Sequence, residues 1–516
     1  EIHWQHPSCG AWLAREDEND WLGWSSRGEA TGIEADCWTP WQSVLDESAA
    51  PYYKWFTGGQ TNACFNLVDR HLLLGRADKT AIIFEGDRWD PSKNSGRGGP
   101  VTEQHFSYRK VFEEIIARMQ VLRDLGLNKG DRIAFNLPNI PEQIFYMLAA
   151  QRMGVVYTPV FGGFSAKTLS DRIHDAGAKL VITADGGYRN AEVVGYKGTY
   201  ADPALDNYIP RETALATLKA VLETYDLGDL ADTLYSDVNS ALAGEITLER
   251  SDVMRELGAS LASQNAIAPE LTAELRTAVA RQLADAKHNV ENVIVVEYTG
   301  QEVVDHARDS WSNDLVASAK ATIAKHLGVT DFETLISEKP AALWAKLNAV
   351  LPVESVDSNF PLFIIYTSGS TGKPKGVVHT HGSWLSGVSH TMRTVFNATE
   401  DDTLYVIGDP GWITGQSYLI AAPLVQGMTT VIAEGSPLFP HAGRFSSIIE
   451  RYNVTLFKAG STFLKAVMTD PASAREMADF DMSTLRAGTF CAEPVSPAVQ
   501  QFAMDNICKH YINSYW

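Results

Sequence analysis

Along much of the chain, short apolar runs alternate with segments whose apolar positions recur at the 3.6-residue spacing of a helix. The apolar runs 132–138, 155–161 and 179–184 are typical of buried strands. Between them, segments 141–153 and 166–176 have helical spacing. Strands that alternate with helices of this length predict parallel pairing, and therefore an α/β fold of layered βαβ units.

The same pattern divides the chain into four parts. Residues 1–78 are rich in tryptophan and lack strong periodicity, which predicts an extended N-terminal segment. Residues 79–210 form a first predicted α/β subdomain. Residues 211–287 are rich in Ala, Leu, Glu and Asp at helical spacing, which predicts a helical insertion. Residues 288–516 return to strands and form a second predicted α/β subdomain.

Local signals refine these parts. The Gly-rich, polar stretch 90–104 is predicted to be a loop. Ser107, which follows it, is a predicted N-cap for the next helix. Strand character resumes at 292–300, and 315–351 has helical spacing before an apolar strand that ends at Tyr366.

Composition limits the partners of the chain. Its formal charge of −20 repels phosphate backbones and anionic lipid, so we expect neither nucleic acid nor a membrane as a partner. No apolar run approaches the roughly 20 residues of a membrane-spanning helix, and the first residues lack a signal-peptide pattern. The five cysteines are widely spaced, so no protein-bound metal is predicted. We expect a cytoplasmic protein.

The strongest local motif is YTSGSTGKPKG, which runs from Tyr366 to Gly376 directly after the buried strand. Glycine permits close approach of the backbone, so successive N–H groups of such a loop can point at an anion. Hydroxyl groups and two lysines add donors and positive charge. The motif predicts that a nucleotide's phosphates are bound by Thr367, Ser368, Gly369, Ser370, Thr371, Gly372 and Lys373.

A Walker A loop is the main alternative for this motif. That loop needs four residues between its glycines and Ser or Thr directly after the lysine. Here two residues separate Gly369 from Gly372, and Pro374 follows Lys373. The spacing therefore disfavours a P-loop hydrolase. A plain Gly/Ser surface turn would account for only some of the eleven residues.

The loop resembles the signature of the adenylate-forming superfamily, which includes acyl-CoA synthetases, luciferases and the adenylation domains of peptide synthetases. The stretches 54–72, 160–189 and 409–437 resemble the acetyl-CoA and propionyl-CoA synthetase branch. The resemblance covers nearly the whole chain except 211–287 and 315–351. It implies the large N-terminal domain of the adenylate-forming fold, with the small C-terminal domain absent from this chain.

The resemblance implies an AMP-forming acyl-CoA synthetase. Such an enzyme uses ATP and Mg²⁺ to convert a small carboxylic acid, here 3-hydroxypropionate, propionate or acetate, into an acyl-adenylate. Coenzyme A then receives the acyl group as a thioester. The chain also resembles the synthetase part of propionyl-CoA synthase, which would make further catalytic domains of a fused polypeptide its partners.

The resemblance also assigns nucleotide contacts. It gives Lys373 and Thr371 catalytic roles at the phosphates. Two further groups border the nucleotide, namely Ala492, Glu493 and Pro494 beside the adenine, and Asn513, Ser514, Tyr515 and Trp516 beneath adenine and ribose.

The implied acyl pocket is a short box of five residues, namely Trp412, Ile413, Thr414, Cys491 and Trp516. Trp516 would close this pocket after two or three carbons. The branch usually has valine at the place of Cys491. A weakly polar thiol there suits a hydroxylated three-carbon acid as well as propionate.

The implied contacts to coenzyme A are Gly162, Gly163 and Phe164 at the pantetheine entry, Thr414, and Arg189 at a nucleotide phosphate. Two positions depart from the branch. Glu192 replaces a second arginine, and Leu438 replaces an asparagine. We therefore expect the nucleotide end of coenzyme A to sit differently.

Two other functions stay open. A non-catalytic adenylate-binding scaffold is disfavoured by intact Lys373, Thr371 and Glu493. An adenylation domain that loads a carrier protein would keep the first half-reaction and change only the thiol.

Three histidines follow the phosphate loop, namely His379, His381 and His390. They lack carboxylates at ligand spacing. We therefore expect them to pack in the core or lie on a helix surface rather than bind a metal.

Overall fold

The computed structural model describes residues 4–5, 12–13, 41–264, 267–286, 290–367 and 374–514. Of the predicted N-terminal segment 1–78, residues 1–3, 6–11 and 14–40 lie outside these ranges. So do the predicted site residues Ser368, Gly369, Ser370, Thr371, Gly372, Lys373, Tyr515 and Trp516.

The described strands are β1 Trp4–Gln5, β2 Trp12–Leu13, β3 Ser43–Asp46, β4 Lys54–Thr57, β5 Gln60–Thr61, β6 Thr80–Glu85, β7 Trp89–Asp90, β8 Gly99–Pro100, β9 Glu103–Ser107, β10 Arg132–Asn136, β11 Val156–Pro159, β12 Leu180–Ala184, β13 Gly186–Arg189, β14 Glu192–Gly195, β15 Tyr208–Pro210, β16 Thr247–Glu249, β17 Asn292–Val296, β18 Asp309–Trp311, β19 Val356–Asp357, β20 Pro361–Thr367, β21 Lys375–Thr380, β22 Thr403–Val406, β23 Thr429–Ala433, β24 Leu456–Gly460, β25 Ala487–Cys491 and β26 Tyr511–Asn513.

The described α-helices are α1 Arg70–Leu73, α2 Lys93–Gly96, α3 Tyr108–Asp124, α4 Pro141–Arg152, α5 Ala166–Ala176, α6 Asp202–Asp206, α7 Arg211–Glu223, α8 Asp229–Ala241, α9 Arg250–Ser263, α10 Pro269–Asp285, α11 Ser312–Leu327, α12 Phe332–Ile336, α13 Pro340–Val350, α14 His381–Thr394, α15 Ala422–Gln426, α16 Gly443–Arg451, α17 Ser461–Thr469, α18 Ser473–Ala478 and α19 Pro497–Asn506. Turns of π-helix occupy Phe65–Asp69, Lys197–Ala201 and Gly415–Ala421.

Two seven-stranded sheets form the body of the molecule. The first sheet has the order β18-β17-β12-β10-β11-β20-β21, and all of its pairs are parallel except β20–β21. The second has the order β26-β25-β24-β22-β23-β6-β9, and only β6–β9 is antiparallel. Helix α4 connects β10 to β11, and α5 connects β11 to β12. The predicted α/β fold with parallel sheets is confirmed.

Strands β10, β11, β12 and β17 of the first sheet are buried on both faces, which explains why they read as continuous apolar runs. On β10, Ile133 and Phe135 point into one core, whereas Ala134 points into another that contains Ile173 of α5. The first of these cores also contains Phe84 of the second sheet. One apolar core therefore joins the two sheets.

The predicted helical insertion contains helices α7 to α10. These four helices pack on a core of their own, in which Leu218, Leu222, Leu257, Leu275 and Leu283 are buried. The insertion is not wholly helical, because β16 pairs with β15 in an antiparallel ladder. Its predicted boundaries stay predictions.

Helix α5 connects the insertion to the first sheet through polar groups. The carboxylate of Asp171 accepts hydrogen bonds from the backbone N–H and the hydroxyl of Thr247, at 3.0 and 2.5 Å. Lys167 forms ion pairs with Asp171 and Glu245, both at 2.9 Å. The insertion is thus held by α5 without sharing the apolar cores of the sheets.

Two local predictions need correction. The stretch 315–351 is three helices, α11 to α13, because Gly328 ends α11 in a left-handed conformation with φ 68° and Pro340 begins α13. The stretch 90–104 is not only a loop, since it contains β8 and the first residues of β9. The predicted N-cap is confirmed, because the Ser107 hydroxyl accepts from the Lys110 N–H.

Among the helices of the described ranges, none combines the length and the hydrophobicity that crossing a membrane requires.

Candidate active site

Strands β20 and β21 form an antiparallel hairpin at the edge of the first sheet. Thr367 and Lys375 face each other at its end, so the segment 368–374 connects the two strands there. The strand before this connection is held by Tyr366, whose hydroxyl donates to the Asp175 carboxylate of α5 at 2.6 Å. Burial and the Asp175 carboxylate raise the pKa of Tyr366.

Arg172 of α5 links this hairpin to the predicted coenzyme A segment. Its guanidinium carbon lies 4.2 Å from the ring centroid of Phe164 and 5.6 Å from that of Tyr366. Burial lowers the pKa of Arg172 to about 10. The two predicted regions therefore share one cationic side chain.

Gly162 and Gly163 lie where a side chain has no room. A Cβ at Gly162 would collide with the Tyr196 ring and hydroxyl, and one at Gly163 with the Phe161 ring. Glycine at both positions therefore allows the backbone to run close to these aromatic side chains.

Three aromatic rings bring the predicted coenzyme A and acyl segments together. Trp412 lies 5.9 Å from Phe161 and 5.6 Å from Phe164, measured between ring centroids. Phe161 and Phe164 are 5.5 Å apart with perpendicular rings. Trp412 is nevertheless 45% exposed, so one side of this cluster is open to solvent.

Two of the predicted acyl-pocket residues line a cavity. Ile413 and Thr414 border a cavity of about 150 Å³ together with Val388, Ser417 and Tyr418. Trp412 is not part of this lining.

The segment before the cavity is folded tightly on itself. The Asp409 carboxylate accepts from the Gly411 N–H at 2.6 Å, and burial raises the pKa of Asp409 to about 6. A Cβ at Gly415 would collide with the backbone of Asp409 and Pro410. These contacts fix the chain on both sides of Trp412.

Parallel strands β25 and β26 bring together the two segments predicted to border the nucleotide. Phe490 and Asn513 are partners in the ladder, and the Ser514 N–H donates to the Phe490 carbonyl at 2.9 Å. Ala492 and Pro494, just beyond β25, are exposed.

Cys491 and Glu493 differ in their surroundings. Cys491 ends β25 and is 4% exposed. Glu493 is exposed and forms an ion pair with Lys465 at 2.8 Å, which lowers the pKa of its carboxyl. Glu493 therefore has a charged partner already, although in solvent such a pair is weak.

Arg189 lies at the end of the hairpin β13–β14, opposite Glu192. Both side chains are exposed, and Arg189 forms no ion pair with any residue of the described ranges. Leu438, the second departure from the branch, packs against the core of the second sheet.

Two buried carboxylates hold this hairpin in place. Asp87 accepts from the Ala191 N–H at 2.7 Å. Glu434 accepts from the Tyr188 N–H at 2.7 Å and from the Tyr298 hydroxyl at 2.6 Å. Since Asp87 and Glu434 follow strands of the second sheet, they connect that sheet to the hairpin.

Arg444 balances part of this negative charge. Its fully buried guanidinium pairs with Glu85 at 3.2 Å and Asp87 at 3.1 Å. Burial raises the pKa of Glu85 and Glu434. Sequence reasoning missed this network, because its members are far apart along the chain and match no short motif.

A family profile described as "AMP-binding enzyme" matches residues 74–516, and one described as "Acetyl-coenzyme A synthetase N-terminus" matches residues 28–67.

The chain belongs to the AMP-binding enzyme family.

Curated relatives in this family carry the name acetyl-coenzyme A synthetase. The protein of Streptomyces avermitilis is 33% identical over 458 residues, which are 88% of this chain and 51% of that protein. The protein of Mycobacterium tuberculosis is 32% identical over 509 residues, 98% of this chain and 59% of that protein. The protein of Pyrobaculum arsenaticum is 32% identical over 478 residues, 92% and 54%. The chain thus spans between half and three fifths of these relatives.

Sequence reasoning also missed a lysine inside the second sheet. Lys458 of β24 is 1% exposed, and its ammonium lies 4.4 Å from the centroid of the Tyr418 ring, which borders the cavity. A charged residue in the apolar strand LFKAG is the signal that could have revealed it.

The three histidines after the phosphate loop do not converge on one point. His379 stacks on Phe363 with centroids 4.6 Å apart. His381 is buried, and its Nδ1 accepts from the Ala63 N–H at 3.0 Å. His390 lies on the exposed side of α14. These placements agree with packing and helix-surface roles.

Among the described residues, one group of side chains is close enough to share a cation, namely Asp202, Asp206 and His306. Its carboxylates are already paired. Lys197 lies 2.9 Å from Asp202, and Arg308 lies 2.6 Å from Asp206. The donor set therefore does not fit a divalent ion.

Proposed function

We propose that this chain is the adenylate-forming part of an ATP-dependent, AMP-forming acyl-CoA synthetase for short carboxylic acids. The observation that carries the proposal is the contact of Trp412 with Phe161 and Phe164. It sets the segment implied to hold the acid directly beside the segment implied to admit coenzyme A. An enzyme that joins an acid to a thiol needs these two sites to meet.

In the first half-reaction, the carboxylate of the acid attacks the α-phosphorus of ATP and pyrophosphate leaves. The implied roles of Lys373 and Thr371 are to bind the phosphates and to stabilise the charge that develops on them. Mg²⁺ would enter with ATP and neutralise part of the triphosphate charge.

In the second half-reaction, the thiol of coenzyme A attacks the acyl carbonyl of the mixed anhydride, and AMP leaves. Gly162 and Gly163 would let the pantetheine chain pass close to the backbone. Arg189, which has no ion-pair partner among the described side chains, would bind a phosphate of the nucleotide end.

The acid is proposed to be small, namely 3-hydroxypropionate, propionate or acetate. A cavity of about 150 Å³ beside Ile413 and Thr414 supports this size. The buried thiol of Cys491 supports a polar three-carbon acid over a longer apolar one.

The test is acid-dependent exchange of pyrophosphate into ATP, together with the release of acyl-CoA, by the intact protein. We expect exchange with at least one acid of two or three carbons. Lys373→Met should lower the kcat of exchange at least about a hundredfold, because the positive charge that stabilises the leaving pyrophosphate is lost. Arg189→Lys, which keeps the charge, is the matched control and should keep exchange. Absence of exchange with every short acid would overturn the proposal.

A further inference from the structure

Lys458 occupies an unusual place for a charged residue. It lies in the middle of β24, with Val406 of β22 and Thr489 of β25 as its partners in the two flanking ladders. Only 1% of the residue is exposed. Lysine is rarely buried to this degree without a partner of opposite charge.

No carboxylate of the described residues forms an ion pair with Lys458. Its ammonium instead donates a hydrogen bond to the Ser514 hydroxyl and faces the Tyr418 ring at 4.4 Å. Burial lowers the pKa of Lys458, and the Cys491 thiol opposes this shift. The ammonium also donates a hydrogen bond to the Cys491 thiol, so its partners are a hydroxyl, a thiol and a ring face, and its positive charge has no anionic partner among the described side chains.

The surroundings of the ammonium belong to the proposed site. Tyr418 borders the cavity that Ile413 and Thr414 also line. Cys491 is an implied wall of the acyl pocket, and Ser514 belongs to the segment implied to border the nucleotide. Lys458 therefore adjoins the residues among which the acid is proposed to bind.

We propose that Lys458 is a specificity-determining residue that binds an oxygen atom at the end of the acid remote from its reacting carboxylate. The substrate class is then short acids with a distal hydroxyl or carboxylate group. This inference rests on the proposed function, since it requires that the cavity takes the acid. It explains why the site tolerates a buried cation, because an oxygen of the substrate supplies the negatively polarised partner that the described carboxylates do not.

The binding preference follows from hydrogen bonding. An acid with a distal oxygen satisfies the ammonium, whereas propionate buries it against a methyl group and removes any water that had solvated it. A site that leaves a polar group unpaired rejects the analogue by a large factor. Size alone distinguishes such acids poorly, because they differ by one small group.

The experiment compares propionate, 3-hydroxypropionate and malonate as substrates for acid-dependent ATP–pyrophosphate exchange by the intact protein. Wild type should show a kcat/KM at least about tenfold higher for one of the two oxygenated acids than for propionate. Which of these two acids is preferred distinguishes a distal hydroxyl from a distal carboxylate.

Lys458→Met removes the charge while keeping an unbranched, apolar side chain. We expect kcat/KM for the preferred acid to fall at least about tenfold, while that for propionate stays constant or rises. Lys458→Thr is a second variant with a smaller side chain, for the case that methionine disturbs folding, which thermal unfolding would reveal.

Three outcomes would overturn the inference. If Lys458→Met lowers kcat/KM equally for all three acids, Lys458 acts on the reacting carboxylate, on the nucleotide or on the fold. If the wild-type kcat/KM is highest for propionate, or is equal for all three acids, a contact with a distal oxygen is excluded by the wild-type data alone. Absence of exchange with every acid would overturn the proposed function and this inference together, and so differs from the first two results.

Discussion

Ala492 has a φ of 79°, a conformation that a residue with a Cβ adopts only at an energetic cost. It follows Cys491 at the end of β25, where the chain turns into the segment implied to border the adenine. Strain of this kind is often found where a chain must present its backbone to a ligand.

Ala492→Gly should therefore stabilise the protein by about 0.5–1 kcal/mol, because glycine adopts positive φ without strain. Urea unfolding at neutral pH would measure the difference. Ala503→Gly, in the buried face of α19, is a control of opposite sign and should destabilise by about 1 kcal/mol or more. A loss of stability in Ala492→Gly would show that the strain is not there.

His381 makes stability depend on pH. Burial and the nearby Lys129 lower the pKa of His381 to about 3, whereas the unfolded chain has a value near 6.5. Protonation therefore favours the unfolded chain. The stability that this histidine contributes is complete above about pH 6.5 and is lost as the pH falls towards 3.

His381→Asn should keep an acceptor for the Ala63 N–H and remove this titration. Between pH 6.5 and 5, wild type should lose about 2 kcal/mol more stability than the variant does, at about 1.4 kcal/mol per pH unit. Urea unfolding at both pH values gives the comparison. Equal slopes in wild type and His381→Asn would contradict the assignment.

Segments of the candidate site could be named from the sequence, whereas the side chains that surround them in space could not. The segments around Ile413, Cys491 and Ser514 could be named because they stand in continuous motifs. Lys458 and Glu434 could not, because a single charged residue in or after an apolar strand has no motif. Only the paired strands reveal which side chains face one another.

At the scale of elements, hairpin β13–β14 is a small unit that presents Arg189 and depends on contacts outside itself. Glu434 accepts hydrogen bonds from two backbone N–H groups, of Tyr188 and Asp87, and from the Tyr298 hydroxyl. Hydrogen bonds to a buried carboxylate are stronger than those between neutral groups.

Glu434→Gln should release this hairpin, because its amide NH₂ would meet donors at one of the two oxygen positions. We expect KM for coenzyme A to rise about tenfold and stability to fall by about 1–3 kcal/mol, while acid-dependent pyrophosphate exchange keeps its kcat. Steady-state kinetics of both half-reactions would test this. The exposed Glu297→Gln is the matched control, and a selective loss of exchange would contradict the assigned position of the hairpin.

Most elements of the βαβ region could be predicted, since its strands are buried on both faces and helix α5 is amphipathic, whereas helix α4 is buried on all sides. Two local features were not predicted, namely an exposed edge strand and the breaks within a helical stretch. Strand β9 was hidden within a polar stretch because its residues are mostly exposed on an antiparallel edge. The helical stretch 315–351 was not divided, because helical spacing continues across the breaks at Gly328 and Pro340.

At the scale of the whole molecule, the two sheets share one apolar core, whereas the insertion has its own. Elements that share a core tend to unfold together, and those with separate cores can open separately. Polar contacts of α5 with Thr247, Glu245 and Glu212 are among the links between them.

Leu275→Ala in α10 should therefore weaken the insertion alone. We expect a loss of about 2–5 kcal/mol in the local stability of α7, α9 and α10. The backbone amides of α3 and α4 should keep their protection against hydrogen exchange. Hydrogen exchange followed by mass spectrometry would measure both regions. Leu148→Ala in α4 is the matched substitution in the shared core and should lower protection in the sheets. Loss of sheet protection in Leu275→Ala would refute the separation.

The self-contained core of the insertion has a consequence for sequence divergence. Its buried leucines belong to a core that contains no residue of the two seven-stranded sheets, so residues 211–286 can exchange one set of apolar side chains for another without repacking those sheets. Selection on the chemistry acts weakly on such a unit. We therefore expect homologous chains to vary most in this region, while retaining an acidic residue at Asp171, by which α5 binds the insertion.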